Sequence, residues 1–290
     1  MDMLLRDISI EALKKAFEKH AGRSPVPHLT DPVRRRQARR LAVKNGIWNS
    51  LRRAAGAGRE IPVLKRSDYR GYQRSGDRQA YEQGLFRRVQ ATYQAALAVW
   101  LEHPDADRDY LQDLMWAWCD ELNWVMSAHE KGGITDLRSM ELGAELAEIC
   151  HVLGAELEEE VKDRVAREIE RRLFRFYRDP GNSDYWKTSR NNWNLVCNGS
   201  MIRAALLQMK DPALLANFVH GPIQNMTYAL DEFRADGGCT EGPSYWGYGF
   251  GHYLYVADAL YERTGGQVNI MTDPKLEKIS RYPVATVIEG

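Results

Sequence analysis

The chain has 290 residues, 44% of them hydrophobic and 28% charged, which suits a globular protein with a sizeable core. Its 40 basic and 40 acidic residues cancel to a formal net charge of zero, so no global field recruits nucleic acid or a membrane surface. No stretch is long and apolar enough to span a membrane, and the opening residues Met1 to Asp7 lack a basic region followed by an apolar run. The compartment stays open between cytoplasm and periplasm. Cys119, Cys150, Cys197 and Cys239 form no close pairs, which argues against a zinc knuckle or a dense disulfide framework and for buried free thiols.

The predicted elements are helical throughout. An amphipathic lead-in occupies residues 1–30, with Ile10, Leu13 and Phe17 on one face and Pro25 and Pro27 beyond it. Asp31-Pro32 reads as an N-cap with proline at the first helical position. The helix it opens carries Val33, Ala38, Leu41, Ile47 and Leu51 and stops near Gly56 and Gly58. Its cluster Arg34-Arg35-Arg36 with Arg39 and Arg40 could serve RNA, but on a helix it reads as a solvated outer face. Residues 57–78 read as loop.

From Gln79 to Leu101, Leu85, Val89, Tyr93, Ala96, Val99 and Trp100 return at helical spacing. His103-Pro104-Asp105 breaks the pattern; a further helix carries Tyr110, Leu111, Leu114, Trp118 and Leu122, with a turn at Gly132-Gly133. The longest periodic run, Leu137 to Tyr177, repeats Ile149, Leu153, Leu157, Val161, Val165, Ile169 and Leu173. It is one helix or two joined near Gly154, with a charged outer face and an end at Asp179-Pro180-Gly181. Helices over 194–210, from Asp211-Pro212 to Phe233, over 253–261 and from Asp273-Pro274 complete the set. No segment alternates with period two for long enough to be a strand. Consecutive antiparallel hairpins of this kind pack side by side and can curve into a ring, and no strict repeat marks an ordinary solenoid. Tyr282 to Gly290 bring no closing element, so the chain is expected to be cut there.

Two patches carry the chemistry. In Arg190-Asn191-Asn192-Trp193-Asn194, three amides just ahead of a helix offer uncharged donors; one can cap the helix, but not all three. Trp193 can be core or a stacking platform. In Glu241-Gly242-Pro243-Ser244-Tyr245-Trp246-Gly247-Tyr248-Gly249-Phe250-Gly251-His252-Tyr253, glycines allow a ligand close to the backbone. Its tyrosines are polar-tipped aromatics that pack and hydrogen-bond when buried. The density of such groups suits a wet, concave site for a polar ring.

The run from Asn191 to Gly199, followed by Asp236-Gly237-Gly238-Cys239-Thr240-Glu241-Gly242-Pro243-Ser244-Tyr245-Trp246, resembles the heparinase II/III-like polysaccharide lyases, which include the oligoalginate lyases. Trp118 to His129, leading to Thr135-Asp136-Leu137, resembles them too. The resemblance implies an all-α fold: an incomplete α/α toroid of antiparallel helical hairpins over 1–290, the 1–30 lead-in included, lacking the family's C-terminal β-sandwich region. It implies β-elimination on a uronic-acid-containing glycan such as alginate or a glycosaminoglycan. A base takes the C5 proton while hydrogen bonds neutralise the C5 carboxylate.

By this resemblance Tyr245 is the proton-abstracting group, as a tyrosinate with its pKa drawn below the ordinary value of about 10. Asn192 is the neutralising amide, with Asn191 beside it. Arg190 adds charge and Trp193 stacking. His129, Tyr248 and Trp246 are wall residues, and Glu241 orients Tyr245 or caps a turn. No metal or cofactor is assigned; the family's zinc, where present, belongs to the absent region. Some members carry His where this chain has Trp193, and others take the leaving-group acid from the β-sandwich. The expected partner is an acidic oligo- or polysaccharide, not nucleic acid or membrane, and the oligomeric state is open. Two other readings stand beside this one. A glycoside hydrolase on an α/α barrel needs two opposed carboxylates, and Asp236 and Glu241 are the only acids in the second patch and its approach. A non-catalytic glycan-binding toroid fragment would need only the surface.

Overall fold

The computed structural model describes residues 4–56, 59–130, 135–179, 181 and 184–286, with the backbone alone at 53–56. Gly58, Gly132-Gly133, Pro180 and residues 287–290 of the predicted ending lie outside the described residues. Among those described, every regular element is helical and none is a strand. In chain order the longer helices are α1 (Ile10–Lys19), α2 (Pro32–Lys44), α3 (Ile47–Gly56), α4 (Gln79–Trp100), α5 (Arg108–Asp120), α6 (Leu137–Leu153), α7 (Glu159–Ile169), α8 (Asn192–Gln208), α9 (Pro212–Glu232), α10 (Pro243–Arg263) and α11 (Pro274–Ala285).

Local chemistry explains most starts. Asp31, Asp211 and Asp273 each precede a proline and accept from the backbone N–H groups of Val33, Ala213 and Lys275 at 2.7–2.8 Å. Asp136 opens α6 with a full capping box to Ser139. The long periodic run is two helices, because Gly154 turns left-handed at φ +41°. Its repeating residues, from Ile149 to Leu173, are all buried.

Three stretches depart from the sequence reading. The expected helix from Pro32 to Gly56 breaks at Gly46, φ +78°, into α2 and α3. Among the described residues its buried apolar side chains are Ala42 and Leu51, while Val33, Leu41 and Ile47 stay exposed. Arg35 does not belong to a solvated face: it caps the end of α4, donating to the carbonyls of Val99 (3.1 Å) and Trp100, and pairs with Glu156 at 2.7 Å. Within 57–78 the chain makes two helical turns, Arg66–Tyr69 and Gly71–Ser75. Finally, α10 begins at Pro243, not near Tyr253, so the glycine- and tyrosine-rich patch is the first turns of a helix.

The expected single domain divides into two compact units, Met1–Pro27 with Tyr177–Gly290, and His28–Phe176. In the first unit α8 is buried along most of its length and flanked by α9 and α10. The lead-in is part of this unit: α1 packs on α9, and Gln224 of α9 donates to the carbonyl of Leu5 at 2.7 Å. In the second unit α5 packs between α4 and α7. There Arg172, on a π-turn after α7, caps the carbonyl end of α5 through Cys119 (3.3 Å) and Glu121.

Two glycines with nearly the same φ separate backbone strain from packing. Gly22 (φ +81°) has open space where a Cβ would go, whereas at Gly237 (φ +88°) a Cβ would overlap the Lys278 backbone carbonyl. Gly22→Ala should cost about 1–2 kcal/mol of left-handed strain. Gly237→Ala should cost a further 1–3 kcal/mol or so for overpacking. Urea unfolding of both variants checks this, and equal losses would contradict it.

Candidate active site

The two patches meet where α8 and α10 begin. Gly249 lets the helices touch: a Cβ there would lie 3.2 Å from Cα and Cβ of Asn192. Gly199 allows the same one turn and more along α8, where a Cβ would sit 3.4 Å from His252 and Val256. Between α9 and α10 the chain turns at Gly237, with Asp236 accepting from the Gly238 N–H at 2.9 Å. Asp236 is therefore a turn former. The turn and the start of α10 are fastened to α11: Trp246 Nε1 donates to the Ile279 carbonyl (2.9 Å), Tyr282 to Cys239 (3.2 Å) and Lys278 to Ala235 (3.0 Å).

This packing leaves a pocket lined by Arg190, Asn191, Asn192, Glu232, Glu241 and Tyr245, with Leu195, Ala229, Phe233, Cys239, Thr240 and Gly249 completing the wall. It holds about 310 Å³ of empty space, including the part open to solvent. Its closed part has room for about one water molecule.

Glu241 is the fixed point. The first N–H groups of a helix have no partner within it. Asn191 stands at the cap position of α8, yet its side chain does not cap; its Oδ1 accepts from the Ser189 hydroxyl at 2.9 Å. The Glu241 carboxylate takes over from 49 residues away, accepting from the Asn192 backbone N–H at 2.7 Å and from Asn192 Nδ2 at 2.8 Å. An anion at a helix N-terminus is favoured by the dipole and by charge-assisted hydrogen bonding. Asn192 is only 6% exposed, and its Oδ1 is left without a partner.

The pocket thus has two poles. Inside lie the Glu241 carboxylate and the Asn192 Oδ1, both acceptors. At the mouth lies Arg190, its side chain 66% exposed and 3.8 Å from Glu232. Beside it, the Asn191 NH₂ group donates to nothing among the described residues. A second carboxylate placed about 4 Å from Glu241 would be repelled by about 4 kcal/mol at an effective dielectric of 20. Asn192, expected as the neutralising amide, already gives one of its two amide hydrogens to an anion. The Asn191 amide is the donor left to meet one, with Arg190, paired with Glu232 at 3.8 Å, beside it.

Tyr245 is 53% exposed, lines the same pocket and makes no hydrogen bond with its hydroxyl among the described residues. Its phenol is open to a ligand. The other expected wall residues lie elsewhere. Trp193 packs on Tyr185, ring centroids 5.3 Å apart, and Tyr248 sits edge-on to His252 at 5.6 Å. Trp246 is held by α11. His129 belongs to the other unit, with Nδ1 2.8 Å from Asp136, the residue that caps α6. Asn194, the third amide, is buried and donates to the carbonyls of Lys187 and Asn225, each at 3.0 Å. Tyr253 is buried and donates to the Ile270 carbonyl at 2.6 Å.

Glu232 and Cys239 were not foreseen from the sequence. Glu232 ends α9, and Ala229, Glu232 and Phe233 share a face by their three- and four-residue spacing, which is the signal that could have found it. Burial pushes the Cys239 thiol up, so it stays protonated at neutral pH and is a poor nucleophile. Among the described residues no group of three His, Cys, Asp or Glu side chains could hold a metal ion, and no helix is long and apolar enough to cross a membrane.

Removing Glu241 should be felt through Asn192. Glu241→Ala leaves two N–H donors without their acceptor and should cost about 1–3 kcal/mol, and Glu241→Gln less. In a double-mutant cycle with Asn192→Ala, read by urea unfolding, the coupling should be about 0.5–2 kcal/mol. Strict additivity would contradict the contact. No family model matches the chain and no curated protein matches it, so its chemistry has to be read from this pocket.

Proposed function

We propose that the chain is a polysaccharide lyase that cleaves uronic-acid-containing glycans by β-elimination, on a scaffold of helical hairpins forming an incomplete α/α toroid. One observation carries this reading: Arg190 and Asn191 from the first patch and Tyr245 from the second line a single pocket.

In this reading the uronate carboxylate binds at the mouth, where Arg190 supplies charge and Asn191 a free amide donor. Neutralising it acidifies the C5 proton by stabilising the enolate-like intermediate. Tyr245, as tyrosinate, takes that proton. The C5 electrons form the C4=C5 double bond as the C4–O bond breaks, and the departing oxygen gains a proton from the phenol or from water. Glu241 acts as a positioning residue: it holds Asn192 and the start of α8, and by repulsion keeps the substrate carboxylate at the outer pole. The neutralising role passes from Asn192 to Asn191.

The presence of both Glu232 and Glu241 in one pocket favours a second reading, glycoside hydrolysis by a carboxylate pair. Two N–H groups already occupy Glu241, and Glu232 lies 3.8 Å from Arg190, so both carboxylates are engaged within the protein. A binding-only role would leave oligosaccharides uncut.

Products separate the three. With oligomers of alginate, heparan and hyaluronan, elimination yields an unsaturated uronate that absorbs in the ultraviolet, whereas hydrolysis yields reducing ends without it. Tyr245→Phe should lower kcat by about 10²–10⁴-fold with little change in KM. Arg190→Ala and Asn191→Ala should each lower kcat/KM. Undiminished elimination by Tyr245→Phe, or reducing ends with no double bond, would contradict the lyase reading.

A further inference from the structure

The second unit holds a larger cleft that the chemistry above does not use. It has about 900 Å³ of empty space, open to solvent, and is lined by Lys65, Arg66, Tyr69, Arg70, Glu121 and Glu130 among others. The part a ligand could fill is about 380 Å³, toward the lower end of the range for small-ligand sites.

Its charges do not cancel. Glu121 is paired with Arg88, a buried arginine on α4. Glu130 is paired with Arg70 at 3.3 Å and also accepts from Gln73 at 3.2 Å. Both carboxylates are thereby neutralised within the protein. The side chains of Lys65 and Arg66 make no ion pair among the described residues, so two cations are left over at the rim.

The wall beside them is organised. Tyr69 meets Tyr81 edge to face, centroids 5.0 Å apart. Asn123 Nδ2 donates to the Tyr69 hydroxyl at 2.9 Å, which leaves the phenolic hydrogen free to be given to a ligand. Burial, with Glu130 nearby, raises the Tyr69 phenol to about 12, so it remains a donor at neutral pH. Leu64 and Leu122 add apolar surface, and Leu122 is 94% exposed.

We infer that this cleft binds a small dianionic saccharide, with Lys65 and Arg66 on its oxyanions, the Tyr69 hydroxyl on a ring oxygen and Leu122 under a C–H face. Two unpaired cations suit a short ligand. A nucleic-acid backbone would call for a longer row of them. The inference stands independently of Tyr245 and its pocket.

Titration calorimetry at low salt tests it, using the whole chain. The probes are a disaccharide with one uronate and one sulfate, the same disaccharide without charge, sodium sulfate, and adenosine monophosphate as a phosphate-bearing alternative. The charged disaccharide should bind best. Lys65→Ala/Arg66→Ala should weaken it about tenfold or more, and the Lys65→Arg/Arg66→Lys exchange much less. Tyr245→Phe should leave this affinity unchanged. Four outcomes would overturn the inference: equal binding of the uncharged disaccharide, equal binding of sulfate alone, tighter binding of the nucleotide, or undiminished affinity in Lys65→Ala/Arg66→Ala.

Discussion

The carboxylate of Glu241 on the first N–H of α8 is the contact on which the pocket depends. A helix start needs an acceptor, and the residue at the cap position does not supply one. Because a distant glutamate does, the turn after α9 is drawn to the start of α8, and Tyr245 follows on the next turn of chain. The same carboxylate ties down the Asn192 amide and leaves Asn191 free. One contact therefore closes the segment, sets the polarity of the cavity and selects which amide a ligand can reach. Its net worth to folding is modest, on the order of 1–3 kcal/mol. Its effect on placement is larger, because Gly249 and Asn192 are already at van der Waals contact and tolerate little drift.

Polarity constrains the chemistry more than shape does. The interior of the pocket is an acceptor surface, and its mouth holds the Asn191 amide donor and Arg190, the latter 3.8 Å from Glu232. In the function we propose, a negatively charged sugar enters with its acid group outward, toward Arg190 and Asn191. That orientation puts the half-exposed Tyr245 phenol beside the ring instead of beneath a buried acid. It also gives Glu241 a positioning role that fits its hydrogen bonds better than proton transfer does.

Much of the fold was legible. Three Asp-Pro pairs announced α2, α9 and α11, and the four-residue repeat from Ile149 to Leu173 announced the helical run of α6 and α7, leaving one helix or two joined near Gly154 open. These signals are local, which is why sequence carries them. The start of α10 was hidden because its glycines and tyrosines have loop-like composition, and Pro243 at the first helical position was outweighed by them. Arg35 looked solvated because nothing near it in sequence reveals the carbonyls of Val99 and Trp100.

The site was legible in part for the same reason. Density of amides and phenols pointed to the two patches, and the resemblance singled out Asn191, Asn192 and Tyr245, which do share a pocket. The same patches hold Trp193 and Tyr248, whose rings pack on Tyr185 and His252, and Trp246, whose indole N–H is bound to Ile279. Glu232 was passed over because it sits in an otherwise ordinary helix. The contact that ties down Asn192 comes from a partner 49 positions away, and no local pattern could have disclosed it. The most direct measurement is a crystal structure of the Tyr245→Phe chain with an acidic disaccharide bound. The carboxylate is expected against Arg190 and the Asn191 amide, with the Glu241–Asn192 contact intact. A carboxylate seated on Asn192 with Glu241 turned away would contradict the account.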